Sequence, residues 1–146
     1  MVIRDETSSV EITLRETGAI QTPAVGDLRI EVAVTAVATV VGGPFTGRND
    51  TVWIRRDEWA GFLRELRELE RIRRGKAHLS AMSPAEFQLT IFITDRAGHV
   101  AAEGWVGREY AGRLAAAHDR ACFYVQIEPS TLAQLIREFE ALAPAD

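Results

Sequence analysis

"EFQLTIFITDRAGHVAAEGWV", residues 86–106, holds two apolar runs on either side of a four-residue turn. Phe87, Leu89, Ile91 and Ile93 occupy every second position, the spacing at which a β-strand sends its side chains to one face. Asp95 and Gly98 bracket the turn: glycine tolerates a positive φ, and an aspartate at that place bonds nearby backbone N–H groups. Closing the turn aligns Thr94 with His99, Phe92 with Ala101, Thr90 with Glu103 and Gln88 with Trp105. Val100, Ala102 and Gly104 then stand opposite the inward residues. The stretch reads as a hairpin, and a hairpin implies an antiparallel sheet.

The same alternation extends in both directions. "SVEITLRE" places Val10, Ile12 and Leu14 on one face, and "LRIEVAVTAVATVV" does so with Leu28, Ile30, Val32, Val34, Ala36 and Ala38. "GGPFTGRND" breaks the pattern before a short strand from Thr51 to Arg55. "KAHLSAM" reads as a strand ending at Ser83-Pro84, and Arg120 to Ile127 form a last one in which Phe123, Val125 and Ile127 alternate with Cys122, Tyr124 and Gln126.

Between these runs the period changes twice. Trp59, Phe62, Leu63, Leu66, Leu69 and Ile72 recur at threes and fours and predict an amphipathic helix starting near Asp57. Asp57 and Glu58 at its start and Arg71, Arg73 and Arg74 at its end suit the macrodipole, and Gly75 is a natural stop. A second helix begins at "EPSTL", with Pro129 in its first turn, and carries Leu132, Leu135, Ile136, Phe139 and Leu142 on one face. No internal repeat is evident. The expectation is one α+β domain over residues 1–146, a mostly antiparallel sheet of about six to seven strands with two amphipathic helices in the order βββαββββα.

Composition bounds the function. The chain has 146 residues, 47% hydrophobic and 26% charged, as an ordinary globular domain does. It has no long apolar run, and "MVIRDETSSV" lacks the basic and then apolar segments of a secretory signal, so a cytoplasmic protein that does not enter a membrane is expected. Cys122 is the single cysteine, which excludes an intrachain disulfide and a cysteine-based zinc cluster; within "RACFYVQI" it reads as a buried structural thiol. The net charge of −4 disfavours general nucleic-acid binding. Residues 55–76 carry eight Arg or Lys against five Asp or Glu, so the remainder is acidic. That suits solubility and would also complement a basic protein partner.

Motifs for chemistry are missing. There is no GxGxxG, GxxxxGK[ST] or GxSxG, and "VVGGPFTG" lacks the lysine and following helix of a phosphate cradle. His78, His99 and His118 lie on separate segments, none at the i, i+4 helical spacing of a zinc protease, so no metal, cofactor or catalytic residue is assigned. His99 and Glu103, four residues apart on one strand, are about 13 Å distant and cannot share a proton. Asp95 can approach His99 across the turn. The outward strand positions instead carry Phe92, Trp105 and Tyr124, and Trp53 joins them as a candidate; an exposed aromatic cluster of this kind is a candidate protein interface, for a foreign partner or a second copy.

From "VWIRRDEWAGFLRELREL" through "AEFQLTIFITDRAGHVAAEGW" to "FYVQIEPSTLAQLIREFEAL" the chain resembles small bacterial immunity proteins of the WapI type and related uncharacterised families. The resemblance spans about residues 50–142 and lies in pattern: a helix with spaced leucines, an "EF.L" strand, a "GH" hairpin, an aromatic strand and a "P..L..L" helix. The family's usual aspartate before the proline is Glu128 here, which bears on helix capping. The resemblance implies a non-enzymatic protein that neutralises a cognate polymorphic toxin, often a nuclease, by binding it. The alternative is a homodimeric structural or small-ligand-binding domain.

Overall fold

A computed structural model describes residues 1–6, 8–14, 27–36, 45–109 and 118–142. Strands β1 (Val2–Arg4), β2 (Ser8–Leu14), β3 (Leu28–Ala36) and β4 (Phe45–Ile54) precede helix α1 (Arg56–Ile72). Strands β5 (Lys76–Ser80), β6 (Phe87–Ile93), β7 (Val100–Glu109) and β8 (His118–Ile127) follow, then a short 3-10 turn (Pro129–Thr131) and helix α2 (Leu132–Leu142). The strands form two antiparallel four-stranded sheets, β1-β2-β3-β4 and β5-β6-β7-β8.

The α+β class and the antiparallel pairing are as expected, whereas the strand count, the single sheet and the order βββαββββα are corrected. Eight strands in two sheets give ββββαββββα. The missing strand is β1, three residues long, in which only Ile3 is buried, too little to register as alternation. Helix α1 stops at Ile72 because Arg73 takes the left-handed conformation (φ 52) and returns its N–H to the Leu69 carbonyl, before Gly75 is reached. Positions 37–41 of the long strand expected from "LRIEVAVTAVATVV" lie outside the described residues.

The two sheets repeat one plan, although no repeat is evident in the sequence. Leu28 and Ile30 pair with Ile54 and Val52 in the first sheet, as Val100 and Ala102 pair with Ile127 and Val125 in the second. Val10 and Ile12 pair with Val34 and Val32, as Phe87 and Leu89 pair with Val106 and Gly104. Each fourth strand then runs into a helix with the same residues at the same places. Val52, Ile54, Ala60, Arg64, Glu65 and Leu69 recur as Val125, Ile127, Ala133, Arg137, Glu138 and Leu142. The buried face Trp59, Phe62, Leu63, Leu66 is answered by Leu132, Leu135, Ile136, Phe139. Apolar character is shared within these pairs while identity is not, and that is enough to keep a core but too little to show as a repeat.

One irregularity separates the halves. Between Ile30 and Val32 the β3–β4 register shifts, so that β4 advances three residues, from Val52 to Asn49, while β3 advances two. This bulge turns Asn49 to the same face as Val52. There the two sheets meet, β7 and β8 packing against β3 and β4, with Ala121 of β8 so close to Gly47 of β4 that a Cβ on Gly47 would overlap the alanine methyl.

Both sheets and both helices contribute to one core. Helix α1 packs against β5 and β6 and against α2. Phe62 and Phe139 meet edge to face at 4.9 Å between ring centroids, and Trp59 lies 5.8 Å from Phe139. At the solvent side of the same contact, Arg67 on α1 donates from Nε to Glu140 on α2 at 2.8 Å. Among the described residues, no helix is long and apolar enough to cross a membrane.

Candidate functional site: the open face of the second sheet

In the second sheet Leu89, Ile91, Ala102, Val125 and their neighbours face the core, and strand alternation sends the intervening residues to the other side, which neither helix covers. The registers fix the layout of that open face. One row runs Gln88, Trp105, Cys122; the next His78, Thr90, Glu103, Tyr124; the third Lys76, Phe92, Ala101, Gln126. The hairpin pairings read from the sequence all hold.

Phe92, Trp105 and Tyr124 therefore lie on one face, as expected, but in two groups. Phe92 on β6 and Tyr124 on β8 reach towards each other across β7, with ring centroids 6.5 Å apart and planes at 65°. Between them Ala101 is fully buried although it points away from the core. Tyr124 keeps 47% of its surface exposed, and Phe92 is half-buried. Trp105, on β7 between those two strands, stands one row beyond Tyr124 and is braced: its Nε1 donates to the Pro84 carbonyl at 3.0 Å, and the Arg120 guanidinium lies 4.8 Å above its ring.

Trp53 belongs to the first sheet, on β4 opposite Arg29, and does not join the other three. Its carbonyl accepts the Met82 N–H at 2.8 Å and links β4 to the segment after β5. Cys122 is exposed, not buried as expected. Strand parity is the reason: Phe123 and Val125 take the core side, so Cys122 shares the outer side with Tyr124.

The histidines do not converge. His78 sits on the open face of β5 with Nδ1 3.0 Å from the Thr90 hydroxyl, while His99 precedes β7 at the end where Val100 pairs with Ile127. His118 begins β8 opposite Glu109, at the far end of the same pair of strands. Among the described residues no three His, Cys, Asp or Glu side chains are grouped as a metal would require.

Asp95 and His99 do meet. Asp95 Oδ2 lies 2.6 Å from His99 Nδ1, and its Oδ1 accepts the Ala97 N–H at 2.9 Å and the His99 N–H at 3.3 Å. The hydrogen bond to His99 holds the Asp95 carboxyl below the ordinary carboxylate range, and the same bond raises the His99 imidazole above its usual value. Both side chains are exposed. The pair clamps the turn, and its carboxylate oxygens are occupied in doing so.

Glu128, where the resembling family has aspartate, makes no side-chain cap; its backbone carbonyl accepts both the N–H and the hydroxyl of Thr131 instead. A further feature had no signal in the sequence. A groove of about 950 Å³ opens between β1, the end of β8 and the first turns of α2.

No protein-family model matches the chain, and no curated protein or solved structure shows significant similarity to it.

Proposed function

We propose that the protein is a non-enzymatic binding module of the immunity type, which neutralises a bacterial toxin by covering part of it with the open face of the second sheet. The observation that carries this reading is the Phe92–Tyr124 pair over a buried alanine on a sheet face with no helix against it. Aromatic side chains held by their neighbours supply contact area at little entropic cost, which is why they dominate binding surfaces. Trp105 and Arg120 extend the face with a second anchor already fixed by a hydrogen bond and a cation–π contact. The family pattern noted in the sequence adds the toxin as the kind of partner.

Co-purification of the full chain with the product of the adjacent gene tests the proposal. Retention of that product by the wild-type protein, and its loss on Tyr124→Ala, is the expected result. A folded bait that fails to retain it overturns the immunity reading.

A second reading, a homodimer joined face to face, draws on one observation. The open face carries both an acid, Glu103, and a base, Arg120, and a two-fold interface must be complementary to itself. Sedimentation of the purified protein distinguishes it, because only this reading makes mass depend on Tyr124 in the absence of another protein.

A further inference from the structure

The repeated plan of the two halves exposes a difference between them. Helix α1 lies directly against β5, and Glu65 Oε2 accepts the outward N–H of His78 from that strand at 3.0 Å. The edge of β5 is thus partly closed by the helix of the preceding half. By the same plan, α2 should close the edge of β1, and Glu138 stands where Glu65 stands. It does not do so: the groove of about 950 Å³ separates them, and Glu138 is a wall residue whose carboxylate accepts from Gln134 at 2.9 Å.

The backbone along this groove is arranged for pairing. Met1 and Ile12 exchange both of their backbone bonds, at 2.9 Å each, so in an antiparallel ladder the alternate residues Val2 and Arg4 direct N–H and C=O to the open side. Across the groove, β8 presents its own outer edge: Gln126 N–H already donates to Asp5 Oδ2 at 2.8 Å, and Tyr124 shares its parity. Two strand edges and a helix thus enclose a slot of the size that binding clefts have. Its rim carries Glu6, Glu128 and Glu138 against Arg4, and the chain as a whole has a net charge of −4.

We infer that this groove is a second binding site, which takes an extended basic segment of a partner protein as an added strand on β1. Main-chain hydrogen bonds to Val2 and Arg4 hold the segment, and the surrounding carboxylates select for lysine and arginine side chains. The site stands whether or not the aromatic face binds a toxin, since it uses the backbone edge of β1; Tyr124 and Gln126 border both surfaces.

The probe is a ten-residue peptide alternating Lys and Val, titrated into the full-length protein while backbone amide exchange is followed by NMR. Slowed exchange at Val2 and Arg4 is expected. Binding should weaken roughly tenfold when alternate peptide amides are N-methylated, since that removes one edge of the added strand, and at least about fivefold for Glu138→Lys or Glu128→Lys, both surface changes that leave the core alone. Three outcomes overturn the site: no slowing at Val2 and Arg4 at millimolar peptide, equal binding of a Glu/Val peptide, or equal binding of the N-methylated peptide. Slowing that grows with protein concentration in the absence of peptide assigns the groove to a second copy and overturns it too. Because Tyr124 borders the groove as well, the variant that separates the two proposals is Trp105→Ala, which lies on the aromatic face outside the groove: it should weaken toxin retention and leave peptide binding unchanged.

Discussion

Asn49 Nδ2 donates to the carbonyl of Gly107 at 2.8 Å and so joins β4 of the first sheet to β7 of the second through a buried side chain. The asparagine can reach because the bulge opposite Glu31 turns it inward. Its own oxygen is satisfied by the N–H and hydroxyl of Thr51, at 3.0 and 3.1 Å. Replacing it by alanine orphans a buried carbonyl and leaves a small void. Asn49→Ala should cost about 1–3 kcal/mol in urea unfolding, and Asn49→Leu should cost as much despite its volume. An unchanged midpoint for both would remove the bond from any account of how the sheets are held together.

Close approach of backbone sets a second constraint. A Cβ on Gly104 would run into the carbonyl of Gln88 on the paired strand, and backbone there cannot yield without breaking the β6–β7 ladder. A Cβ on Gly47 would meet the Ala121 methyl, a side-chain clash that an alanine-to-glycine change can relieve. Gly104→Ala should therefore destabilise by about 1–3 kcal/mol or more with no rescue by Ala121→Gly. Gly47→Ala should be partly restored by that same second change. Thermal melts of the four variants separate the two cases, and rescue of Gly104→Ala would show the clash to be misplaced.

The part of this architecture that was legible from residues alone is the part governed by local period. The β6–β7 register follows from Phe87 to Ile93 and the turn at Asp95–Gly98, and both helices follow from their apolar spacing. The same parity put Phe92, Trp105 and Tyr124 on one face. What escaped has a physical reason in each case. β1 buries a single side chain. Trp53 alternates correctly but in a different sheet, and period does not say which sheet a strand joins. The repeat is carried by exchanges such as Trp59 for Leu132 and Leu66 for Phe139, which keep the position apolar and buried while erasing identity. The groove depends on how far α2 stands from β1, a tertiary distance that no local pattern encodes.

Core and open-face positions should respond differently to truncation. Leu66 is fully buried on the inner face of α1, so Leu66→Ala should cost about 2–5 kcal/mol through the lost contacts and the cavity. Tyr124→Ala removes a side chain that is 47% exposed and should change stability by about 0.5 kcal/mol or less. Trp105→Ala falls between them, because it also frees the Pro84 carbonyl and the Arg120 stack. Equal losses at Leu66 and Tyr124 in chemical denaturation would mean that the face is interior and would withdraw it as a binding surface.

The Asp95–His99 clamp predicts a pH dependence with a definite sign. His99 is raised above 6.5 by its bond to Asp95, so its share of the interaction is complete below 6.5 and fades as pH climbs through the raised value. Asp95 is lowered below 3.8 by the same bond, so its share is complete above 3.8 and fades as pH drops through the lowered value. The clamp is fully formed between these limits and weakens on both sides. Because both groups are exposed, the effect is confined to the turn, and its measure is the imidazole titration followed by NMR. Wild-type His99 should titrate above 6.5, and Asp95→Asn should bring it down towards that value. The asparagine oxygen can still accept the Ala97 N–H, so amide exchange at Ala97 should change far less than the histidine does. A wild-type His99 titrating at or below 6.5 would show that the carboxylate and the ring do not meet in solution.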